Sequence, residues 1–256
     1  MPVKFSINFK LKLSNQPKVS SLITPDHLHG FFFSLLPKDL AEVLHKSTRY
    51  KPFCLWAPQI FKFYQTSEEK TSEENLQPLD NFSLTISFLK DELFPPFLSH
   101  LFGLFSQKNN FKLFLGPYKV KLFQDVDFSL LKHDEYLSYD EPNNFTLKPL
   151  LSFRFLTPVS LKKGDVDYPL PDPKIVFKSI LKKWNYFSPV KVSIDLRPAF
   201  EEKLYVVFAS IKTYKIKLSL GSAVTGFIGK VVYGGKNLTE EELKWLTILG
   251  NFSNFA

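Results

Sequence analysis

The chain has 256 residues, of which 44% are hydrophobic, and it carries a formal net charge of +8 at pH 7. This composition allows one or two packed domains and excludes a disordered chain. No apolar run reaches the roughly 18 residues of a membrane span, and the lone Cys54 excludes an internal disulfide and favours a cytoplasmic location. The positive charge favours a nucleic-acid partner, although a coding bias toward Lys, Asn and Phe is the alternative explanation.

The first half of the chain predicts strands and helices in alternation. Residues 3–13 place apolar side chains at every second position and polar side chains, three of them lysines, between them, which predicts a half-buried strand. Thr24 and Pro25 predict the start of a helix. The predicted elements are a strand at 3–13, helices at 26–36 and 40–45, an extended segment at 52–63, a strand at 82–89, a helix at 91–105, and a hairpin at 111–115 and 118–128.

A similar order follows a polar segment at 132–144, which we interpret as a linker. Thr239 and Glu242 have the spacing of a helix-capping box, which predicts the start of the last helix. The other predicted elements are a strand at 145–155, a loop, a helix at 173–187, and strands near 190–196, 204–220 and 227–233. The order predicts an α+β fold of two tandem ferredoxin-like (RRM-like, βαββαβ) domains, residues 1–131 and 145–256, with a cleft between them.

His45 is the main candidate for chemistry. It ends a short apolar helix and lies at the edge of the basic loop 46–51. An imidazole with a pKa near ~6.5 can take or give a proton at neutral pH, as general acid–base catalysis requires. The alternative is a surface histidine stabilised by the end of the helix dipole.

Lysines at regular spacing are candidates for contact with an RNA backbone. They form a stripe on the predicted helix 173–187 and one face of the predicted strand 204–220. A solvated helix face is an equally good interpretation of the stripe. The candidates are Lys174, Lys178 and Lys182 on the helix, and Lys215 and Lys217 on the strand.

Several motifs together resemble the CRISPR-associated endoribonucleases that cut precursor guide RNA at its repeats. The last 39 residues contain S-A-x-x-G-F-x-G, L-T-E-E-E-L-x-W-L-x-x-L and F-x-x-F-A, in that order. Earlier matches are F-L-T-P at 155–158 and P-D-P-x-x-x-F-x-S-I-L-x-x-W-N at 171–185. Family members continue into a glycine-rich loop that is absent from this sequence, which ends at Ala256. Either the chain is shortened or this member lacks the loop.

The resemblance implies an enzyme of antiviral defence that needs no metal ion and no cofactor. It would cut CRISPR repeat RNA to release guide RNAs, leaving a 5′-hydroxyl and a 2′,3′-cyclic phosphate. His45 is the histidine of the family's A-x-x-L-H pattern, and Lys51 is the first residue of its K-P-F pattern. Both are therefore expected to be catalytic, with Arg49 or Lys46 assisting.

Relatives also use a tyrosine or a second histidine from the first helix. Gly30 and Phe31 have no hydroxyl, so we choose His29 over His27 for this role, with an exposed helix histidine as the alternative for both. The competing functions are a non-cleaving, repeat-RNA-binding subunit of a guide-RNA effector complex and a generic basic RNA-binding protein. Assembly as a homodimer is left open, and no membrane partner is expected.

Overall fold

The computed structural model describes residues 2–12, 23–46, 49–60, 81–106, 113–116, 118–122, 149–217 and 223–256. The chain divides into two compact units, whose described residues run from 3 to 122 and from 149 to 256. The proposed linker 132–144 and both domain boundaries beside it lie outside the described residues. None of the helices that the structure describes is long and apolar enough to cross a membrane.

The first unit is a five-stranded antiparallel sheet with helices on one face. The sheet order is β2-β3-β1-β5-β4, in which strands distant in sequence become neighbours, as in a ferredoxin-like domain. Its elements are β1 (Val3–Lys12), α1 (Pro25–Ser34), α2 (Lys38–His45), β2 (Phe53–Trp56), β3 (Asn81–Phe88), α3 (Phe94–Ser106, preceded by a 3₁₀ turn at Asp91–Leu93), β4 (Leu113–Leu115) and β5 (Tyr118–Leu122).

The core of this unit confirms the alternation predicted for β1. Its apolar side chains from Val3 to Phe9 are buried, and the Phe5 ring lies 5.4 Å from that of Phe97 on α3. On α1, the Phe31 ring meets Phe9 edge-on at 5.0 Å. Burial of these aromatic side chains holds α1 and α3 against the sheet.

The second unit is a three-stranded antiparallel sheet with two helices and a small hairpin. The sheet order β6-β10-β9 is that of a ferredoxin-like domain, and the predicted α+β class is confirmed. The loop expected after residue 158 contains the hairpin. The elements are β6 (Leu150–Val159), β7 (Leu161–Lys163), β8 (Val166–Tyr168), α4 (Pro173–Phe187), a π-helical turn (Ala199–Lys203), β9 (Leu204–Lys217), β10 (Ala223–Gly235) and α5 (Glu240–Phe252).

An aromatic cluster joins the helices of this unit to its sheet. Phe177 of α4 lies 5.7 Å from Phe153 of β6 and 5.4 Å from Tyr233 of β10. The buried Tyr233 hydroxyl donates to the Pro171 carbonyl oxygen at 3.1 Å, and burial raises the pKa of this phenol. The segment before α4 is therefore tied to the sheet.

The strand predicted near 190–196 is wrong, because the segment between α4 and the π-helical turn has no regular structure. Its alternating side chains serve another purpose. The Trp184 indole donates to the Val190 carbonyl oxygen at 2.9 Å, and the Trp245 indole donates to the Ser193 hydroxyl at 3.1 Å. The Trp184 indole thus satisfies a backbone carbonyl that a strand would have paired in a ladder, and the Trp245 indole holds the Ser193 side chain.

Candidate active site

The end of α2 and the start of β2 bring His45 close to Lys51. His45 is the last residue of α2 and is exposed. The Lys51 ammonium donates to the carbonyl oxygens of Leu44 and Lys46, each at 2.9 Å. These carbonyls lie at the helix end, where a cation is favoured. Because an ammonium has three donors, one of them remains for an anionic ligand.

Phe33 of α1 connects His45 to His29. The ring centroid of Phe33 lies 4.6 Å from the imidazole of His29, one helical turn earlier, and 5.3 Å from that of His45. Phe53, two residues after Lys51, lies 5.9 Å from Phe33 and 5.8 Å from His29. The structure thus gathers the three predicted catalytic residues around an aromatic wall.

The environment of His29 favours its neutral form. Partial burial is the main cause that lowers the pKa of His29 below 6.5, and electrostatic interactions with Lys51 and His45 lower it further. Asp26 acts in the opposite direction but does not cancel these effects. A neutral imidazole is a proton acceptor, so His29 is suited to act as a base at pH 7.

His27, which the sequence analysis ranked below His29, is part of the start of α1. Its Nδ1 accepts from the Thr24 amide at 3.0 Å, and the His27 amide donates to the Thr24 hydroxyl at 3.4 Å. This is a capping box with histidine in the place usually held by Glu or Gln. The side chain also packs against Gly116. Both features give His27 a structural role.

Arg49 and Lys46 both lie on the exposed loop between α2 and β2. The Arg49 guanidinium lies 5.6 Å from the centre of the Tyr50 ring. Lys46 contributes its backbone to the end of α2, where its amide donates to the Glu42 carbonyl oxygen at 3.3 Å. The two side chains are near the histidines in sequence, and their contribution to the chemistry stays a prediction.

The lysine stripe on α4 is exposed, but a carboxylate neutralises one end of it. Lys174 forms an ion pair with Glu201 at 2.9 Å. This hydrogen bond is the main cause that lowers the pKa of Glu201, and Lys178 contributes to the shift. Lys182 has no comparable carboxylate partner among the described residues. Any phosphate that reaches Lys174 must compete with Glu201.

Lys215 is exposed toward the end of β9, and the side chain of Lys217 lies outside the described residues. Lys215 pairs in register with Thr225 of β10. Because side chains two residues apart on a strand share a face, Lys215 lies on the same face as Thr213, as predicted. The roles of Lys215 and Lys217 in RNA binding stay predictions.

The C-terminal motifs are explained by packing. Gly229 has φ +133°, and a Cβ there would collide with the backbone of Ser210 and Ile211 on β9. Glu242 completes the predicted capping box with Thr239, and both of its oxygens also accept from Lys203 at 2.8 Å. These residues shape the sheet and α5, and they do not belong to the histidine cluster.

Sequence reasoning missed the two aromatic residues of the site, Phe33 and Phe53, because apolar spacing alone does not separate an aromatic site residue from a core residue. The signal that could have found Phe33 is its spacing of four residues from His29 on one helix. Phe33 is only half-buried, unlike Phe31 and Phe32.

The described residues form an α+β protein of two ferredoxin-like units, with a cluster of two histidines and a lysine in the first unit. Among the residues that the structure describes, no group of three His, Cys, Asp or Glu side chains could hold a metal ion. The family model of the CRISPR-associated endoribonuclease Cas6 matches residues 153–255. The match covers most of the second unit, and the resemblance seen in the sequence is confirmed.

Solved Cas6 structures share the fold over the whole chain. A product complex of Cas6 (TTHB231) is 24% identical, with a TM-score of 0.73, and the match covers 100% of this chain and 94% of that chain. Cas6 (TTHB231) from Thermus thermophilus is also similar, at 23% identity and a TM-score of 0.67, covering 100% and 93% of the two chains.

A product complex of Cas6 (TTHA0078) is 22% identical, with a TM-score of 0.66 and coverage of 100% and 92%. No curated protein matches the sequence. At these identities the solved structures support the tandem ferredoxin-like fold.

Proposed function

We propose that the chain is an endoribonuclease that processes CRISPR repeat RNA into guide RNAs. The Cas6 domain at 153–255 and the tandem ferredoxin-like fold support this class of activity. The observation that carries the proposal is the gathering of His29, His45 and Lys51 around Phe33. This set contains two proton-transfer groups and one cation, which cleavage by an internal ribose hydroxyl requires.

In the proposed reaction, neutral His29 takes the proton from a 2′-hydroxyl, and the freed oxygen forms a bond to the adjacent phosphorus. The bond between phosphorus and the 5′-oxygen breaks, and His45 gives that oxygen a proton. The products are a 2′,3′-cyclic phosphate and a 5′-hydroxyl. Lys51 stabilises the additional negative charge on the phosphorane with its remaining donor. In this scheme side chains supply the acid, the base and the cation, so no metal ion is required.

The test uses labelled RNA with the repeat sequence of the host's own CRISPR array, in excess chelator. We expect one cut in wild-type protein and a rate about 10²–10⁴ times lower in His45→Ala and in His29→Ala, the usual range for losing a proton-transfer group. A repeat with a single 2′-deoxy sugar at the cut site should bind and remain intact. Cutting of the deoxy repeat would exclude attack by the 2′-hydroxyl, and loss of activity in chelator would exclude the metal-free scheme.

The alternative function, a repeat-RNA-binding subunit that does not cut, predicts a different result in the same assay. Wild-type protein would bind the repeat tightly and yield no product over hours. A scrambled RNA of equal length and composition distinguishes both functions from a generic basic RNA-binding protein, which would bind the two RNAs equally.

A further inference from the structure

The sheet of the second unit has one covered face and one open face. Phe153 of β6 and Tyr233 of β10 point toward α4, where they meet Phe177. Because side chains alternate along a strand, their neighbours point the other way. Ser152, Arg154, Phe208, Ser210 and Lys230 are exposed on the open face.

The open face carries two adjacent cations. Arg154 of β6 lies directly opposite Lys230 of β10 in the antiparallel register. Like charges in this position destabilise a sheet, and no carboxylate among the described residues forms an ion pair with either side chain. The three strands contain no Asp or Glu at all, and their basic residues are Arg154, Lys212, Lys215, Lys217 and Lys230.

Aromatic and aliphatic side chains surround this cationic pair. Phe208 lies across from Val232, two residues from Lys230, and 51% of Phe208 is exposed. Further along, Gly234 leaves space that the exposed side chains of Leu150, Tyr205 and Val207 border. Cations beside exposed aromatic rings are the combination that binds single-stranded nucleic acid, with phosphates on the cations and bases stacked on the rings.

We infer that this open face binds an unpaired segment of RNA, with Arg154 and Lys230 on its phosphates and Phe208 stacked on a base. Charge decides the occupant. A face with two cations that have no ion-pair partner among the described residues, on strands without carboxylates, complements a polyanion. The inference rests on the proposed function for the identity of the RNA, which is the unpaired part of the repeat. It assigns binding to residues that lie outside the histidine cluster and outside the lysine stripe of α4.

The test measures binding of fluorescent repeat RNA and of oligo(U) to the whole chain over a range of salt concentrations. In Arg154→Gln/Lys230→Gln, we expect affinity to fall at least about tenfold, and the slope of log affinity against log salt to decrease by about 1.4 for two lost phosphate contacts on a single strand. Phe208→Leu should weaken binding by about five- to a hundredfold, and Phe208→Trp should restore it.

Matched controls separate this effect from loss of charge or of folding. Lys163→Gln/Lys236→Gln removes the same charge from the second unit outside its three-stranded sheet and should leave the salt slope unchanged. The Arg154/Lys230 variant should melt at or above the wild-type temperature, since it relieves a like-charge pair.

The inference would be overturned if Arg154→Gln/Lys230→Gln and Phe208→Leu both kept the wild-type RNA affinity and the wild-type salt slope. A change in sedimentation with unchanged RNA binding would also overturn it and identify the face as a contact between protein chains. If wild-type protein binds oligo(U) through this face but does not cut the repeat, the proposed nuclease function fails and the binding site stands.

Discussion

The ammonium of Lys51 lies 2.9 Å from the main-chain oxygen of Leu44, the residue before His45. This contact ties a cation to the end of α2, and the same cation lowers the pKa of His29 on α1. One side chain therefore stabilises a helix end, positions a positive charge beside the terminal histidine and biases the second histidine toward its neutral form. The stabilising role and the electrostatic role can be separated by substitution.

Removing the charge of Lys51 should raise the pKa of His29. The positive charge disfavours a second proton nearby, so Lys51→Met should move the His29 titration toward 6.5. NMR titration of the imidazole carbon measures the shift, and the acid limb of the cleavage profile should move to higher pH with it. Lys51→Arg should keep the wild-type value. The control is Lys38→Met, at the opposite end of α2. A His29 titration unchanged by Lys51→Met would contradict this electrostatic coupling.

The two histidines should act as one unit in cleavage. If His29 as base and His45 as acid act in one concerted step, the double alanine variant should be hardly slower than either single variant, because effects of cooperating groups are not additive. Single-turnover rates at saturating protein measure this. His27→Gln is the matched control, since glutamine at this helix position can keep the capping box with Thr24. If the rate losses of the two single variants multiply in the double variant, the histidines contribute independently.

The local elements were predictable from sequence, because their signals lie within one or two turns. The helix at Pro173–Phe187 was predicted to the residue: Asp172 caps it, Pro173 begins it, and its apolar face is periodic. The strand predicted at 190–196 failed because its true partners, Trp184 and Trp245, lie on two helices and are chosen by tertiary packing.

In the candidate site, too, some features could be predicted from local sequence and others depend on tertiary packing. His45 and Lys51 are close in sequence, so their proximity could be expected. The position of His29 beside them depends on how α1 packs near α2, and the pairing of Arg154 with Lys230 depends on sheet register across distant strands. The partner of Glu242, Lys203, is 39 residues away and had no local signal.

Glu201 should limit RNA binding by the helix stripe. Its ion pair with Lys174 occupies an ammonium that would otherwise be available to phosphate. Glu201→Gln should therefore increase affinity for repeat RNA and steepen the salt dependence by about one phosphate contact. Lys174→Gln should have little effect alone and should abolish the gain in the double variant. Equal affinities in all four proteins would mean that the stripe is only a solvated helix face.

The ion pair of Lys203 with Glu242 should make the free energy of unfolding depend on pH. Burial would raise the pKa of Glu242, but hydrogen bonds from Lys203 and from the Thr239 backbone outweigh it, so the pKa lies below 4.5. A depressed carboxyl pKa contributes stability above the unfolded value, and this contribution is lost as pH falls through the folded value. Glu242→Gln should cost about 1.5–3 kcal/mol at pH 7.

The difference between wild type and Glu242→Gln should shrink steadily below pH 4.5, which urea titrations at several pH values measure. Arg197→Gln is the control, because it removes an exposed cation from the Asp195 pair of the same unit. It should change stability by less than about 1 kcal/mol. A Glu242→Gln cost that is constant from pH 7 to pH 3 would show that packing, and not charge, explains the effect.

Gly229 should tolerate no side chain. Its φ of +133° is a conformation that L-residues rarely adopt, and an added Cβ would meet backbone atoms of Ser210 and Ile211, which cannot move aside as a flexible side chain would. Gly229→Ala should therefore cost at least about 1–3 kcal/mol of strain. In contrast, Gly103→Ala in α3 should stabilise by up to about 1 kcal/mol, since nothing lies within 4 Å of the added methyl group.

Fluorescence of Trp184 and Trp245 in a Trp56→Phe background follows unfolding of the second unit and gives the urea midpoints. A Gly229→Ala midpoint equal to that of the parent would mean that the backbone around Gly229 can shift away from β9. The glycine in the C-terminal motif would then require another explanation, such as close approach of RNA to the strand. The RNA affinity of the folded variant would test that explanation directly.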